Sequence, residues 1–182
     1  CIIVKSKEYI PNLIDEVIDI NRIDEIYDIK TVKDTYKARW VVNAAGLYSD
    51  KVSKMLGIDD YTIHPCRGEY FILDEKVGSK LSLPAYPVPN PKEGGLGIHL
   101  TPTIDGNVFI GPSSEYIDER DDYSATQKIM DLLIKDGGRI FPHIRREDFI
   151  RNFAGIRPKL ASKEEGGYHD FVIEMRDEAQ NT

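Results

Sequence analysis

Between Pro65 and Pro112, proline or glycine interrupts the chain at short intervals, so no long helix can run through that half of the sequence. What remains between the breaks, GEYFILD, LPAYPVP, GLGIHLTPT and NVFIGP, is of strand length and rich in aromatic and aliphatic residues. Short strands joined by tight turns predict antiparallel pairing, because parallel neighbours need long crossovers. The turns can be placed as well. Ile104 to Asn107 reads IDGN, whose Asp105-Gly106 pair is a strong hairpin signal, and PNPKEGG, from Pro89 to Gly95, is a hairpin loop by composition. FIRNFAGIRP and YHDFVIEM return as strands further on. A single helix is expected between Tyr123 and Gly138, capped by Ser124, with Ile129, Met130, Leu132, Leu133 and Ile134 on its apolar side and Gly137-Gly138 at its end.

The chain before Pro65 has a different character. From Ala38, ARWVVNAA is a continuous apolar run of strand length, the pattern of a strand covered on both faces, and Gly46 ends it. Ser49 is placed to cap a short helix with Asp50 in its first turn, Val52, Met55 and Leu56 on its apolar face and Gly57 as its stop. The two-sided pattern around Trp40 to Ala44 sets this strand outside the antiparallel sheet that follows. Residues 1–38 mix acidic residues with isoleucines at spacings that suit helix and strand about equally, and they stay unassigned.

Composition narrows the function classes. With 182 residues and 41% hydrophobic content the chain can bury one good core or about one and a half small ones. A net charge of -7, without any block of five basic residues, argues against nucleic acid or an anionic membrane as partner. No apolar run approaches the ~20 residues of a membrane span. Cys1 and Cys66 are too few for a disulfide framework or a four-cysteine zinc site, so a reducing, cytoplasmic setting is expected. The opening Cys-Ile-Ile-Val-Lys is already strand-like and lacks an initiating methionine, which reads as a piece of something longer.

Few residues offer chemistry. The Gly94-Gly95-Leu96-Gly97 cluster precedes a strand, whereas a phosphate loop must open a helix. His64 and Cys66 lack a second pair of soft ligands, so no metal site is expected, and no Gly-x-Ser-x-Gly elbow occurs. Three residues stand out. Arg67, between Pro65 and Gly68, and Arg157, after Gly155 and before Pro158, could each present a planar fork to a carboxylate or phosphate. His99, flanked by Ile98 and Leu100, could be a core residue or a proton-transfer group.

The ordered set VVNAAGLYSD, RGEYFILD, YPVP, GIHLTPTIDGNVFIGPSSE, FAGIRP and DFVIE resembles the FAD-dependent oxidoreductases of the D-amino-acid oxidase superfamily over residues 38 to 175. Within it, the sequence is most similar to the L-2-hydroxyglutarate oxidase and FAD-dependent glycerol-3-phosphate dehydrogenase group. The resemblance implies an α+β fold, a mainly antiparallel sheet with helices on one side, forming the substrate domain of a two-domain flavoenzyme. Residues 1–60 would then be a strand-helix remnant of the FAD domain, and residues 61–182 the substrate-binding domain, truncated before the last FAD-binding segment.

Further roles follow from the same resemblance. Ala44, Ala45 and Gly46 would run beside the flavin nucleotide, where small residues permit close approach. Arg157 would clamp the anionic end of a small hydroxy acid or polyol phosphate, Arg67 would assist as a second substrate contact, and His99 would act at the hydroxyl being oxidised. The family's Gly-x-Gly-x-x-Gly fingerprint is absent from these residues, so the fragment itself is expected to be inactive and to hold no FAD. The other reading is a stand-alone small-molecule or protein-binding domain without redox activity. A glycine-rich βαβ unit encoded upstream of Cys1 would decide for the flavoenzyme.

Overall fold

A computed structural model describes residues 15–88, 97–167 and 169–176. They fall into two compact units, one reaching Ile63 and taken up again from Phe171, the other running from His64 to Asp170. Residues 171–176 group with the first unit. Cys1 and the PNPKEGG loop lie outside the described residues.

In the first unit β1 (Val17–Ile23), β2 (Ile26–Thr31) and β3 (Thr35–Ala38) form an antiparallel sheet in sequence order. Isoleucines at 18, 20, 23, 26 and 29 recur at spacings of both two and three, which hides the strand period. On β2 that period is plain, since Tyr27, Ile29 and Thr31 are buried. On β1 an irregularity between Val17 and Asp19 brings Val17 and Ile20 to one face despite their odd separation. Helix α1 (Ser49–Met55) lays Val52 and its neighbour Leu56 on this core, and Gly57, at φ +74°, ends it as expected. Its N-cap is Tyr48 rather than Ser49, because a 3-10 turn over Gly46–Tyr48 starts the winding earlier.

The run from Trp40 to Ala44 lies outside the main sheet, as expected, but it is not a strand covered on both faces. It carries no ladder among the described residues. Val41 and Ala45 pack on the core of their unit, while Trp40 is 68% and Val42 77% exposed, so one face is open.

The second unit is built on β4 (His64–Leu73), with α2 (Glu75–Gly78), β5 (His99–Pro102), β6 (Val108–Gly111), β7 (Glu115–Tyr116), α3 (Gln127–Ile140) and β8 (Phe149–Lys159) following. All pairs are antiparallel. β8 runs along one edge of β4, β6 and β7 share the other edge, and β5 lies beyond β6. Register fixes the two faces. Phe71, opposite Ile110, Leu73, opposite Val108, and Leu100 join Ile129, Leu133 and Ile144 in a core beneath α3. Alternation then places Gly68, Tyr70, Ile72, Phe109, Gly111, His99, Thr101, Phe153, Gly155 and Arg157 on the other face.

Four expected details change. α3 is capped by Thr126, whose hydroxyl accepts from the Ile129 N–H, and Ser124 is drawn elsewhere. The helix also continues through Gly137-Gly138, because Gly137 is a packing residue: a Cβ there would sit 2.3 Å from Ile110 Cδ1. LPAYPVP forms a lone bridge from Ala85 to Leu100 instead of a strand, since Pro84 and Pro87 have no N–H to pair. Residues 169–176 are no strand either; side chains fasten them, Arg176 to Asp60 at 2.6 Å and Tyr61 to Glu174 at 2.7 Å.

Candidate functional site

The open face of the larger sheet collects two of the three residues singled out by sequence. Crossing it from β5 to β8, His99 is followed by Gly111, Tyr70 and Phe153, the last two ring-stacked with centroids 5.2 Å apart. Tyr86 stacks on His99 at 4.6 Å. The His99 Nδ1 lies 3.0 Å from the Gly97 carbonyl oxygen, which can accept but not donate, so Nδ1 carries the proton. In the neutral ring Nε2 is then the acceptor. Burial raises the Tyr70 phenol pKa, the Arg157 charge pulls it back and Tyr86 adds to the rise, so the hydroxyl is protonated at neutral pH.

Arg157 rises from β8 opposite Cys66 and reaches over Gly68 on β4. Its Nη2 donates to the Ser113 carbonyl at 2.9 Å, and no carboxylate among the described residues pairs with it. Two inter-strand spacings and two residues of rise separate the His99 and Gly68 backbones, roughly 12 Å along the face.

Arg67 is placed differently. It lies on the face of β4 turned away from His99, with its side chain 7% exposed, and its fork meets carboxylates of its own chain. Nη2 contacts Glu115 at 2.9 Å and Glu69 at 3.6 Å, while Nη1 donates to Ser124 at 2.7 Å and to Asp122. Burial alone would lower its pKa, but the Glu115 hydrogen bond and the charges of Asp122, Glu69 and Glu115 outweigh that and raise it. This arginine ties β4 to the approach of α3 and does not join Arg157 and His99 on the open face.

Ala44, Ala45 and Gly46 belong to the smaller unit and form a corner there. Asn43 braces it, donating to the Ser49 carbonyl at 2.8 Å and to Ser53 Oγ at 2.9 Å and accepting from the Ala45 N–H. Gly46 is exposed at φ +56°, and a Cβ added to it would meet nothing within 4 Å. Ala44 is exposed too, while Ala45 packs inward. Bare backbone with open space beside it fits the close approach of a nucleotide. No metal-binding cluster occurs among the described residues, and Cys66 is a buried free thiol beside Ser114.

Gly68, Ser113, Tyr70 and Asn43 complete these two places without having been singled out by sequence. Gly68 and Ser113 meet Arg157 through strand register, which local spacing does not carry. Asn43 could have been suspected, as a polar residue interrupting an apolar run.

Comparison with known proteins agrees with this architecture. A family model described as FAD dependent oxidoreductase (DAO) matches residues 14–179. A glycerol 3-phosphate dehydrogenase of Caloramator mitchellensis is 34% identical over 162 residues, covering 89% of this chain and 32% of that protein. The mitochondrial L-2-hydroxyglutarate dehydrogenase of Mus musculus is 27% identical, covering 76% and 37%. Among solved structures, the L-alpha-glycerophosphate oxidase of Mycoplasma pneumoniae with FAD bound superposes with a TM-score of 0.66 at 24% identity, covering 83% of this chain and 40% of that one. The chain thus spans about a third of the length of the curated relatives it matches. With the antiparallel sheet, its open face and the family match over nearly all its residues, the chain belongs to the FAD-dependent oxidoreductases of the DAO family.

Proposed function

We propose that this chain is part of an FAD-dependent dehydrogenase or oxidase acting on a small anionic hydroxy acid or polyol phosphate, of the 2-hydroxyglutarate or glycerol 3-phosphate type. One observation carries the reading: Arg157 and His99 share the open face of one sheet, and no carboxylate among the described residues pairs with Arg157. Arg157, tied by one edge to Ser113, offers the rest of its planar fork to the substrate's carboxylate or phosphate. Nε2 of His99 accepts the proton of the hydroxyl being oxidised, and the Gly97 carbonyl holds the ring in the tautomer that can do so. When bound, FAD supplies the hydride acceptor. Ala44, Ala45 and Gly46 are the residues of this chain that would line its nucleotide. A cytoplasmic setting belongs to the same reading, supported by the low cysteine content. No helix among the described residues is long and apolar enough to cross a membrane.

Rapid mixing of the full-length protein with L-2-hydroxyglutarate and with glycerol 3-phosphate tests the proposal, and failure of both to bleach the flavin would overturn it. In the same protein Arg157→Lys is expected to weaken substrate binding at least about tenfold with flavin content intact. Lysine cannot reproduce the fork, and a charge-assisted hydrogen bond contributes ~1.5–3 kcal/mol. The 182-residue chain purified alone is expected to be colourless, because its sequence lacks the glycine-rich loop that would hold the pyrophosphate. Stoichiometric flavin absorbance in that preparation would contradict this.

A further inference from the structure

We infer that Gly68, Pro112 and Ser113 form a slot that positions the Arg157 guanidinium, with Gly68 as the positioning residue. The inference rests on Arg157 holding the substrate's anion, as proposed above. A Cβ built on Gly68 would lie 1.9 Å from Arg157 Nη2, 2.9 Å from its Cζ and 3.2 Å from Pro112 Cβ. Gly68 sits inside a strand, where glycine weakens pairing and normally marks a close approach, and its φ is not positive. What the missing side chain provides is the floor of the slot.

The wall is equally fixed. Ser113 is buried, its N–H donates to the Glu69 carbonyl at 3.1 Å, and its Oγ accepts from the Glu69 N–H at 3.0 Å. Two bonds to the residue after Gly68 therefore aim the Ser113 carbonyl that receives Arg157 Nη2 at 2.9 Å. A guanidinium seated on Gly68 and tied along one edge keeps its remaining N–H groups in a set direction. Across the strand pair Gly155 leaves room, since a Cβ there would meet nothing within 4 Å. Pre-set donors bind an anion without the ordering cost of a free arginine.

Gly68→Ala in the full-length holoenzyme tests this. The methyl would meet the end of a flexible side chain and press on Pro112 Cβ at 3.2 Å, so the strand is expected to hold while the arginine moves and Pro112 shifts slightly. KM for whichever of L-2-hydroxyglutarate and glycerol 3-phosphate is turned over should rise about tenfold, kcat should fall less, and FAD content should not change. The double variant Gly68→Ala/Arg157→Lys should match Arg157→Lys alone within about twofold, because the fork is already lost. Losses that multiply would overturn the inference, as would a crystal structure of Gly68→Ala in which Nη2 keeps its bond to Ser113. Should Arg157→Lys prove silent while that structure shows the guanidinium displaced, the slot stands and the substrate reading falls.

Discussion

His99→Asn in the full-length protein is expected to slow flavin reduction by ~10²–10⁴-fold, the usual contribution of a positioned general base, while changing substrate affinity much less. The split follows from the geometry. Nδ1 is committed to the Gly97 carbonyl and the ring leans on Tyr86, so Nε2 is the atom left to face a ligand on the open sheet. Asparagine keeps a polar group on β5 but has no nitrogen that accepts a proton at neutral pH. Arg157, reaching from the far edge of the sheet, still holds the anion. Rapid-mixing kinetics separate the two quantities, since reduction rates extrapolate to a limit at saturating substrate and the half-saturation point reports binding. A normal limiting rate would show that His99 serves the stack with Tyr86 and nothing more.

Much of this architecture was legible in the letters, and what escaped shares one physical cause. The Pro and Gly breaks around GEYFILD and NVFIGP mark turns locally, so β4, β6 and the antiparallel class could be read directly. Arg157 stood out because Gly155 and Pro158 set it apart within its own strand. Its meeting with Gly68 did not, because it depends on β4 and β8 pairing in one register, with Cys66 opposite Arg157 and Gly68 opposite Gly155. The Trp40 to Ala44 run shows the converse limit. Its composition reads as two covered faces, yet Trp40 and Val42 are exposed, and composition cannot say which chain segment would cover them. Arg67, with Pro65 and Gly68 beside it, suggests a second substrate contact when only its neighbours in sequence are considered. Its partners Glu115, Asp122 and Ser124 lie far along the chain.

Arg67→Met is expected to destabilise the fold by about 3–5 kcal/mol, the typical cost of removing one partner of a buried ion pair. Glu69 is the reason. Its side chain is fully buried, and without the guanidinium its charge would keep only the Thr126 N–H and hydroxyl as donors. Glu115 and Asp122, each more than a third exposed, can turn to water and contribute little to the loss. Adding Glu69→Gln should therefore recover more than half of it, because a neutral amide oxygen can still cap Thr126 while the unpaired charge is gone. Acid provides a second check with a fixed sign. Hydrogen bonds from Ser124, and then the Arg67 charge, hold the Asp122 carboxyl below its ordinary pKa. A carboxylate lowered in the folded state stabilises above its unfolded pKa, and that stabilisation is lost as pH falls through the folded value. The Arg67→Met variant lacks the Arg67 share, so its stability should fall less between pH ~5 and pH ~2 than that of the parent. Denaturant unfolding of the three proteins at both ends of that range decides the matter: a cost below about 1 kcal/mol, or losses that simply add in the double variant, would mean that the Arg67–Glu69 pair does not carry this stability.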